Sequence, residues 1–139
     1  MDDPYNLQRF VDAQEPVYDD VLSELGAGQK RTHWMWFIFP QIKGLGHSPM
    51  AVKYGISSLD EADAYLNHPI LGRRLRQCTE VVNLLVGRSV DQIFGYPDNM
   101  KFHSSMTLFV RATADNGLFK DAITKYFNGK LDKATVDRL

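Results

Sequence analysis

An apolar stripe that follows Pro69 constrains the fold of this chain more than any other feature of its sequence. Its members are spaced four, three, four and three residues apart: Leu71, Leu75, Cys78, Val82 and Leu85. This is the period of a helix that buries one face. Pro69 suits the first helical position, and Gly87 suits the end of the helix. The sequence therefore predicts a long amphipathic helix between these two residues.

Helical signals also recur in the rest of the chain, and several of the segments are short. Further helices are predicted to begin at or just after Asn6, Val17, Asp60, Val90, Asp98, Leu118 and Asp132. Ser105–Arg111 also fits a strand. We predict a mainly α fold, a compact single-domain bundle of about six helices with at most one or two short strands near Trp36–Phe39.

Length and charge restrict the class of protein further. A chain of 139 residues fits one domain, 1–139. Its net charge of −1 provides no overall field for nucleic acid or anionic membranes, so nucleic acid is not the expected partner. The single cysteine, Cys78, excludes a disulfide framework, and its place on the core stripe predicts an inert packed thiol.

The cellular location of the protein is predicted from the absence of targeting and membrane-spanning signals in the sequence. The stretch Met1–Asn6 is acidic and has no apolar core, so we do not expect a signal peptide. No run approaches the ~18 apolar residues of a membrane span. A cytoplasmic location is therefore expected.

The most unusual residues lie in Thr32–Gln41, which contains both tryptophans of the chain. This segment has two possible interpretations. It is either a buried core segment or a stacking wall for a planar ligand, with His33 and the indole N–H groups as polar contacts. In an extended chain, alternation would place His33, Met35 and Phe37 on one face and the tryptophans on the other.

Two further clusters each have a structural and a functional interpretation. His68–Arg76 is either a helix start with a solvated basic face or an anion site that uses free N–H groups and a nearby Arg73 or Arg74. Asp98–Thr107 is either a helix whose small residues ease packing, or a site where Lys101 and neighbouring hydroxyls admit a phosphate.

Known chemical motifs are absent from the sequence. It contains no GxGxxG, GxxxxGK[ST], HExxH or GxSxG pattern, and no two histidines lie four residues apart. No paired carboxylates stand out in the three clusters. No cofactor and no metal are therefore predicted.

These clusters resemble a known family, domain of unknown function 1810, whose members are small, mainly helical and mostly bacterial. The resemblance runs nearly end to end. It rests above all on Arg9-Phe10, Ala13-Gln14, Lys30, His33–Phe37, Phe39–Gln41, Gly44–Gly46, Ser48, Tyr54, Glu61-Ala62, His68-Pro69, Arg74-Leu75, Asp98, Lys101 and Ser104-Ser105. The resemblance implies a compact helical fold, and it brings no established activity, cofactor or catalytic residue.

The sequence departs from the family pattern in two places. Thr32 stands where the family usually has Ser. Phe102-His103 replaces an aliphatic–basic pair, so no role is inherited for His103. The combination of an aromatic-rich stretch, an Ala-rich helix and a Lys-x-x-Ser-Ser helix is similar to small domains that act on ADP-ribose-linked substrates, by analogy only.

Three functions follow as hypotheses. The first is binding of a small phosphorylated, ring-containing ligand such as a nucleotide or an ADP-ribose derivative. Its predicted contacts are Arg9, Gln14, His33, Trp34, Trp36, Gln41, Ser48, Tyr54, Arg74, Lys101 and Ser105. The second is hydrolysis of an N-glycosidic bond in such a ligand, with His33, Asp98 or Glu61 as acid or base. The third is a protein-interaction or antitoxin-like module that uses the segment His33–Gln41.

Overall fold

Ten helices make up most of the chain described by the computed structural model, residues 2–139. They are α1 (Gln8–Gln14), α2 (Tyr18–Gly26), α3 (Met35–Ile38), α4 (Pro49–Lys53), α5 (Leu59–Asn67), α6 (Leu71–Leu84), α7 (Val90–Phe94), α8 (Asp98–Ala112), α9 (Gly117–Phe127) and α10 (Lys133–Val136). Six of them have seven or more residues and four have four or five. The predicted mainly α fold is confirmed. Met1, the first residue of the acidic stretch considered above, lies outside the described residues.

The segment around the tryptophans is helical, so the interpretation based on alternating faces is wrong. Met35–Ile38 forms one helical turn, in which consecutive side chains point about 100° apart instead of to opposite faces. Met35 and Phe37 are buried, whereas His33 is exposed. Within residues 2–139, β-type pairing is limited to one isolated parallel bridge, Ile42 with Ile56.

Helix α8 lies at the centre of the bundle. It contacts α5, α7, α9 and α10, and its buried residues run without a break from Ser104 to Phe109. A helix buried on nearly every side belongs to the interior. The strand interpretation of Ser105–Arg111 is wrong, because these residues lie within the helix Asp98–Ala112. Phe102 of α8 packs against two other aromatic rings. Its ring centroid lies 5.0 Å from that of Phe39 and 4.7 Å from that of Phe94.

The ends of the helices follow local hydrogen bonding, and three predicted boundaries differ. Asn6 has a positive φ of 51° and does not cap α1. The carboxylate of Asp3 accepts the free N–H groups of Leu7 and Gln8 instead. Helix α6 begins at Leu71, after the predicted Pro69, and ends at Leu84, before the predicted Gly87. At this end the ammonium of Lys125 donates to the carbonyls of Asn83 and Leu85.

The corner between α5 and α6 depends on a glycine. A Cβ atom at Gly72 would lie 2.0 Å from the carbonyl oxygen of Leu66, which belongs to the backbone and cannot swing aside. Gly72 therefore permits the close approach of the two helices. Within residues 2–139, no helix is both long enough and apolar enough to cross a bilayer.

Candidate functional site

A cleft opens beside the first turns of α8, and we call it the α8 cleft. It has a volume of about 340 Å³. The loop after α3, the turn before α8, α8 itself and the C-terminal segment form its walls through Gln41, Leu45, Gly46, Tyr96, Pro97, Met100, Lys101, His103, Ser104, Asp132 and Ala134. A narrow crevice that shares Gln41 and Gly46 adjoins the cleft and is lined by Trp36 and Tyr54.

Positive charge reaches the cleft through a cluster of two lysines around one carboxylate. Asp98 lies 2.8 Å from Nζ of Lys30 and 3.4 Å from Nζ of Lys101. Each ammonium also lies over an indole ring, Lys30 at 5.1 Å from the centroid of Trp34 and Lys101 at 4.8 Å from that of Trp36. Two cations against one anion leave one positive charge in excess. Lys30 is 8% exposed and Lys101 is 22% exposed, so Lys101 is the cation that a ligand can reach.

The rim of the cleft is apolar. Tyr96 is 81% exposed and Met100 is 56% exposed, and Pro97 lies between them along the chain. Large apolar side chains left in water at the edge of a cleft are typical of ligand sites. This wall offers an aromatic face to a planar group.

The C-terminal segment forms the opposite wall and is held against α8 by one carboxylate. Oδ2 of Asp132 accepts hydrogen bonds from Oγ of Ser104 (3.2 Å) and from N (3.2 Å) and Oγ1 (2.6 Å) of Thr135. The backbone N–H of Asp132 donates to Oγ1 of Thr107 over 2.9 Å. The cleft thus depends on tertiary contacts between residues about 25 positions apart.

Arg9 and Glu61, two residues of the family pattern, form a saturated ion pair away from the α8 cleft. Nη2 of Arg9 lies 2.9 Å from Oε2 of Glu61. The guanidinium of Arg9 also donates to the backbone carbonyls of Tyr5, Asn6, Lys53 and Gly55. All five N–H donors of Arg9 therefore have partners within the chain. Oε1 of Glu61 accepts from Ser57. Both charged groups are therefore committed to the fold.

Gln14 and Arg74 are also engaged within the protein. The buried Gln14 amide donates to the carbonyl of Phe37 (2.8 Å) and to the hydroxyl of Tyr65 (3.1 Å). Arg74 donates to the Gln14 side-chain oxygen and forms an ion pair with Glu15 at 2.7 Å. These two residues tie α1 to α3, α5 and α6.

The predicted anion site at the start of α6 is occupied by the protein itself. Nδ1 of His68 accepts the N–H groups of Ile70 (3.1 Å) and Leu71 (3.3 Å). These are N–H groups at the start of α6 that an anion would need. His68 therefore acts as a cap, as a side-chain acceptor commonly does at a helix start.

Trp34 belongs to the core and is anchored by Glu24. The indole N–H donates to Glu24 over 3.1 Å, beside donors from Arg31 and Thr32. Burial alone would raise the pKa of Glu24, but these hydrogen bonds outweigh it and hold the pKa below its ordinary value.

This carboxylate makes the stability of the protein sensitive to acid. A carboxyl group with a depressed pKa contributes stability above its unfolded pKa, and that contribution is lost as the pH falls through its folded pKa. We expect Glu24→Gln to be less stable than the wild type at pH 7 and to lose less further stability between about pH 5 and pH 2. Urea denaturation at several pH values checks this, with the exposed Glu80→Gln as control. Parallel pH curves for wild type and Glu24→Gln would contradict it.

Four further predicted contacts, His33, Ser48, Tyr54 and Ser105, differ in their surroundings. His33 is exposed, and Ser48 caps α4 by accepting the Ala51 N–H at 3.2 Å. Tyr54 is buried, with its ring centroid 5.6 Å from that of Phe10. Ser105 is fully buried, and its hydroxyl has no partner within residues 2–139.

Four predicted contacts therefore line the α8 cleft or its crevice: Trp36, Gln41, Tyr54 and Lys101. Most residues that line the cleft were not among the predicted contacts, and these include Tyr96, Met100, His103 and Asp132. The signal for Tyr96 was its place between Gly95 and Pro97, where a turn is expected to expose it. Asp132 was predicted only as a helix start.

The chemistry of metals and thiols receives no support from the described geometry. Among residues 2–139 no three His, Cys, Asp or Glu side chains form a group that could hold a metal ion. Burial raises the pKa of the Cys78 thiol to about 12, so the thiolate needed for nucleophilic chemistry is scarce at neutral pH.

Comparison with known proteins places the chain in a family. The sequence profile described as "Protein of unknown function (DUF1810)" matches residues 4–139. The chain belongs to this DUF1810 family. One similar solved structure is the crystal structure of the conserved hypothetical protein Rv1873 from Mycobacterium tuberculosis. That protein is 58% identical over 99% of this chain and 98% of its own, with a TM-score of 0.98. No curated protein matches the chain.

Proposed function

We propose that this DUF1810 protein binds a small phosphorylated, ring-containing ligand, of the nucleotide or ADP-ribose class, in the α8 cleft. The observation that carries the proposal is that one cleft is lined by both the exposed Tyr96 ring and the Lys101 ammonium. An aromatic face and a cation in one cavity match a ligand with a planar ring and an anionic group.

The surroundings of Lys101 support this role. The ion pair with Asp98 and the contact over Trp36 limit the positions that this long side chain can take. A donor held in place loses less entropy when it binds a ligand. Because Lys30 shares Asp98, the cluster keeps an excess positive charge for the incoming anion. Gln41, on the neighbouring wall, adds an amide that can orient the ligand.

The two other hypotheses have less support. Hydrolysis by the predicted groups needs an available carboxylate, yet Glu61 is paired with Arg9, and Asp98 with two lysines. A module that binds proteins through His33–Gln41 needs an exposed aromatic patch there, whereas Trp34, Phe37 and Phe39 are buried. We keep a cytoplasmic site of action as part of the proposal, since one buried free thiol is usual in a reducing compartment.

Lys101→Met tests the proposed function. Removing one charge-assisted hydrogen bond is expected to weaken binding of a nucleoside monophosphate about 10- to 100-fold. Isothermal titration calorimetry with AMP, GMP, CMP, UMP and ADP-ribose measures the affinity, and thermal denaturation with and without each compound gives an independent readout.

Lys120→Met is the matched control, because Lys120 is an exposed lysine of α9 that does not line the cleft. It should leave the affinity unchanged. If none of the five compounds binds the wild-type protein, or if Lys101→Met binds them as well as the wild type does, the proposed function is wrong.

A further inference from the structure

We infer that His103 of α8 and Asp132 of the C-terminal segment, which line the same cleft, recognise the hydroxyl groups of a sugar that carries a single phosphate group, so that the ligand is a nucleoside monophosphate rather than a di- or triphosphate. This inference rests on the proposed function and narrows its ligand class. It depends on His103 and Asp132, two residues that no sequence motif marks.

The first hydrogen-bond acceptor is a histidine nitrogen. Nε2 of His103 lies 2.7 Å from the carbonyl oxygen of Lys130. A carbonyl oxygen only accepts, so Nε2 carries the hydrogen atom of this bond. In the neutral ring, Nδ1 then has a free lone pair and can accept a hydrogen bond from a ligand. The ring is held in position by stacking on Phe127, with centroids 3.9 Å apart and planes 7° apart.

The second acceptor is a carboxylate oxygen. The three hydrogen bonds from Ser104 and Thr135 all go to Oδ2 of Asp132. Oδ1 has no hydrogen-bond partner within residues 2–139 and is not among the enclosed atoms that lack one. Asp132 lines the same cleft as His103. A carboxylate oxygen accepts and does not donate, so Asp132 gives the cleft a second acceptor, and its side chain is already fixed.

Two fixed acceptors in one cleft call for a ligand that presents two donors. Adjacent sugar hydroxyls provide such a pair, whereas phosphate oxygens at neutral pH do not. The negative charge of Asp132 repels phosphate, so the anionic group is expected at the Lys101 side and the hydroxyls at the C-terminal side. The ligand then lies along the cleft with its ring against Tyr96.

The size and charge of the cleft indicate how many phosphate groups it takes. Among the side chains that line the cleft, Lys101 is the one lysine, and there is no arginine. The volume of about 340 Å³ is at the lower end of the ~300–1,000 Å³ usual for ligand sites. One cation and a small cavity fit one phosphate group and one nucleoside.

Ligand analogues test the inference on the unaltered protein. Among AMP, GMP, CMP and UMP, the tightest binder is compared by calorimetry with its 2′-deoxy and 2′,3′-dideoxy forms and with its di- and triphosphates. We expect the dideoxy form to bind at least about tenfold more weakly, because fixed acceptors are left without donors. The di- and triphosphates should bind no more tightly than the monophosphate.

Equal affinity of the monophosphate and its dideoxy form would overturn the recognition of hydroxyls and leave the proposed function intact. Clearly tighter binding of the triphosphate would overturn the limit of one phosphate group. Ribose 5-phosphate is the matched probe without a base. If it also binds more tightly than its dideoxy counterpart, the hydroxyls themselves are recognised. Absence of binding by every nucleotide would instead contradict the proposed function, and this inference with it.

His103→Phe tests the same inference from the protein side. Phenylalanine keeps the ring that stacks on Phe127 and removes both ring nitrogens. We expect it to weaken binding of the monophosphate about tenfold and to leave binding of the dideoxy form unchanged, so that the two affinities converge. An equal loss for both ligands would mean that the substitution disturbs the cleft generally, and would contradict a specific contact with hydroxyls. The comparison of ligands on the wild type stands even if this variant does not fold.

Discussion

Replacing Arg9 by methionine is expected to lower the free energy of unfolding by about 3–5 kcal/mol. The substitution keeps an unbranched apolar stem and removes the guanidinium, with its charge and all five hydrogen bonds. Glu61, which is almost fully buried, would then lack its cationic partner, and the carbonyl of Gly55 would lose a donor. An uncompensated buried charge is among the costliest defects a fold can carry.

Urea denaturation followed by circular dichroism measures this loss. Arg111→Met is the matched control, because Arg111 is exposed at the end of α8 and makes no side-chain hydrogen bond or ion pair within residues 2–139. It should change stability by less than about 0.5 kcal/mol. The double variant Arg9→Met with Glu61→Met should lose less than the sum of the two single losses, since removing both partners leaves no unpaired charge. A loss below about 1 kcal/mol for Arg9→Met would contradict the structural role assigned to this ion pair.

Truncation of Phe102 to alanine is expected to cost about 3–5 kcal/mol. The ring is fully buried in α8 and contacts the aromatic rings of Phe39, Phe94 and Phe127, with centroids 4.7 to 6.1 Å away. Its removal leaves a cavity among helices α7, α8 and α9 that rigid aromatic neighbours fill poorly.

The same denaturation experiment on Tyr96→Ala provides the control. It removes a ring of similar size from a site that is 81% exposed, so the free energy of unfolding should change little. The two variants thus separate the two uses of aromatic residues in this chain. A similar loss for both would mean that Tyr96 is part of the core and not of a ligand wall.

The residues of the family pattern fall into two groups, those that hold the fold together and those that line the cleft. Arg9, Gln14, Trp34 and Glu61 have hydrogen-bond partners inside the protein, and these contacts join α1, α2, α3 and α5. Lys101 and Gln41 line a cleft instead. Variants of the first group should act on stability, and variants of the second on affinity. This distinction could not be made from residue types, because an arginine that holds backbone carbonyls and one that holds a phosphate look the same in a sequence.

The fold could be predicted wherever a periodic pattern was long. The stripe of α6 was predicted correctly because five apolar side chains at helical spacing outweigh local ambiguity. The start of α7 at Val90 was also predicted correctly, and in the structure Ser89 and Gln92 form a capping box there. The turn Met35–Ile38 was not predicted as a helix. Four residues contain barely one helical period, and Trp and Phe are common in buried strands as well.

The sequence alone determined that this chain is a mainly helical bundle of one family, because the spacing of apolar residues and the caps act over a few positions. Only the tertiary structure decided which polar residues are left for a ligand. That outcome depends on whether each donor or acceptor finds a partner far along the chain, as Arg9 finds Glu61 and as Asp132 finds Ser104. Hydrogen bonds between distant residues pair some polar groups and leave others free. A local sequence pattern does not show which polar groups are paired.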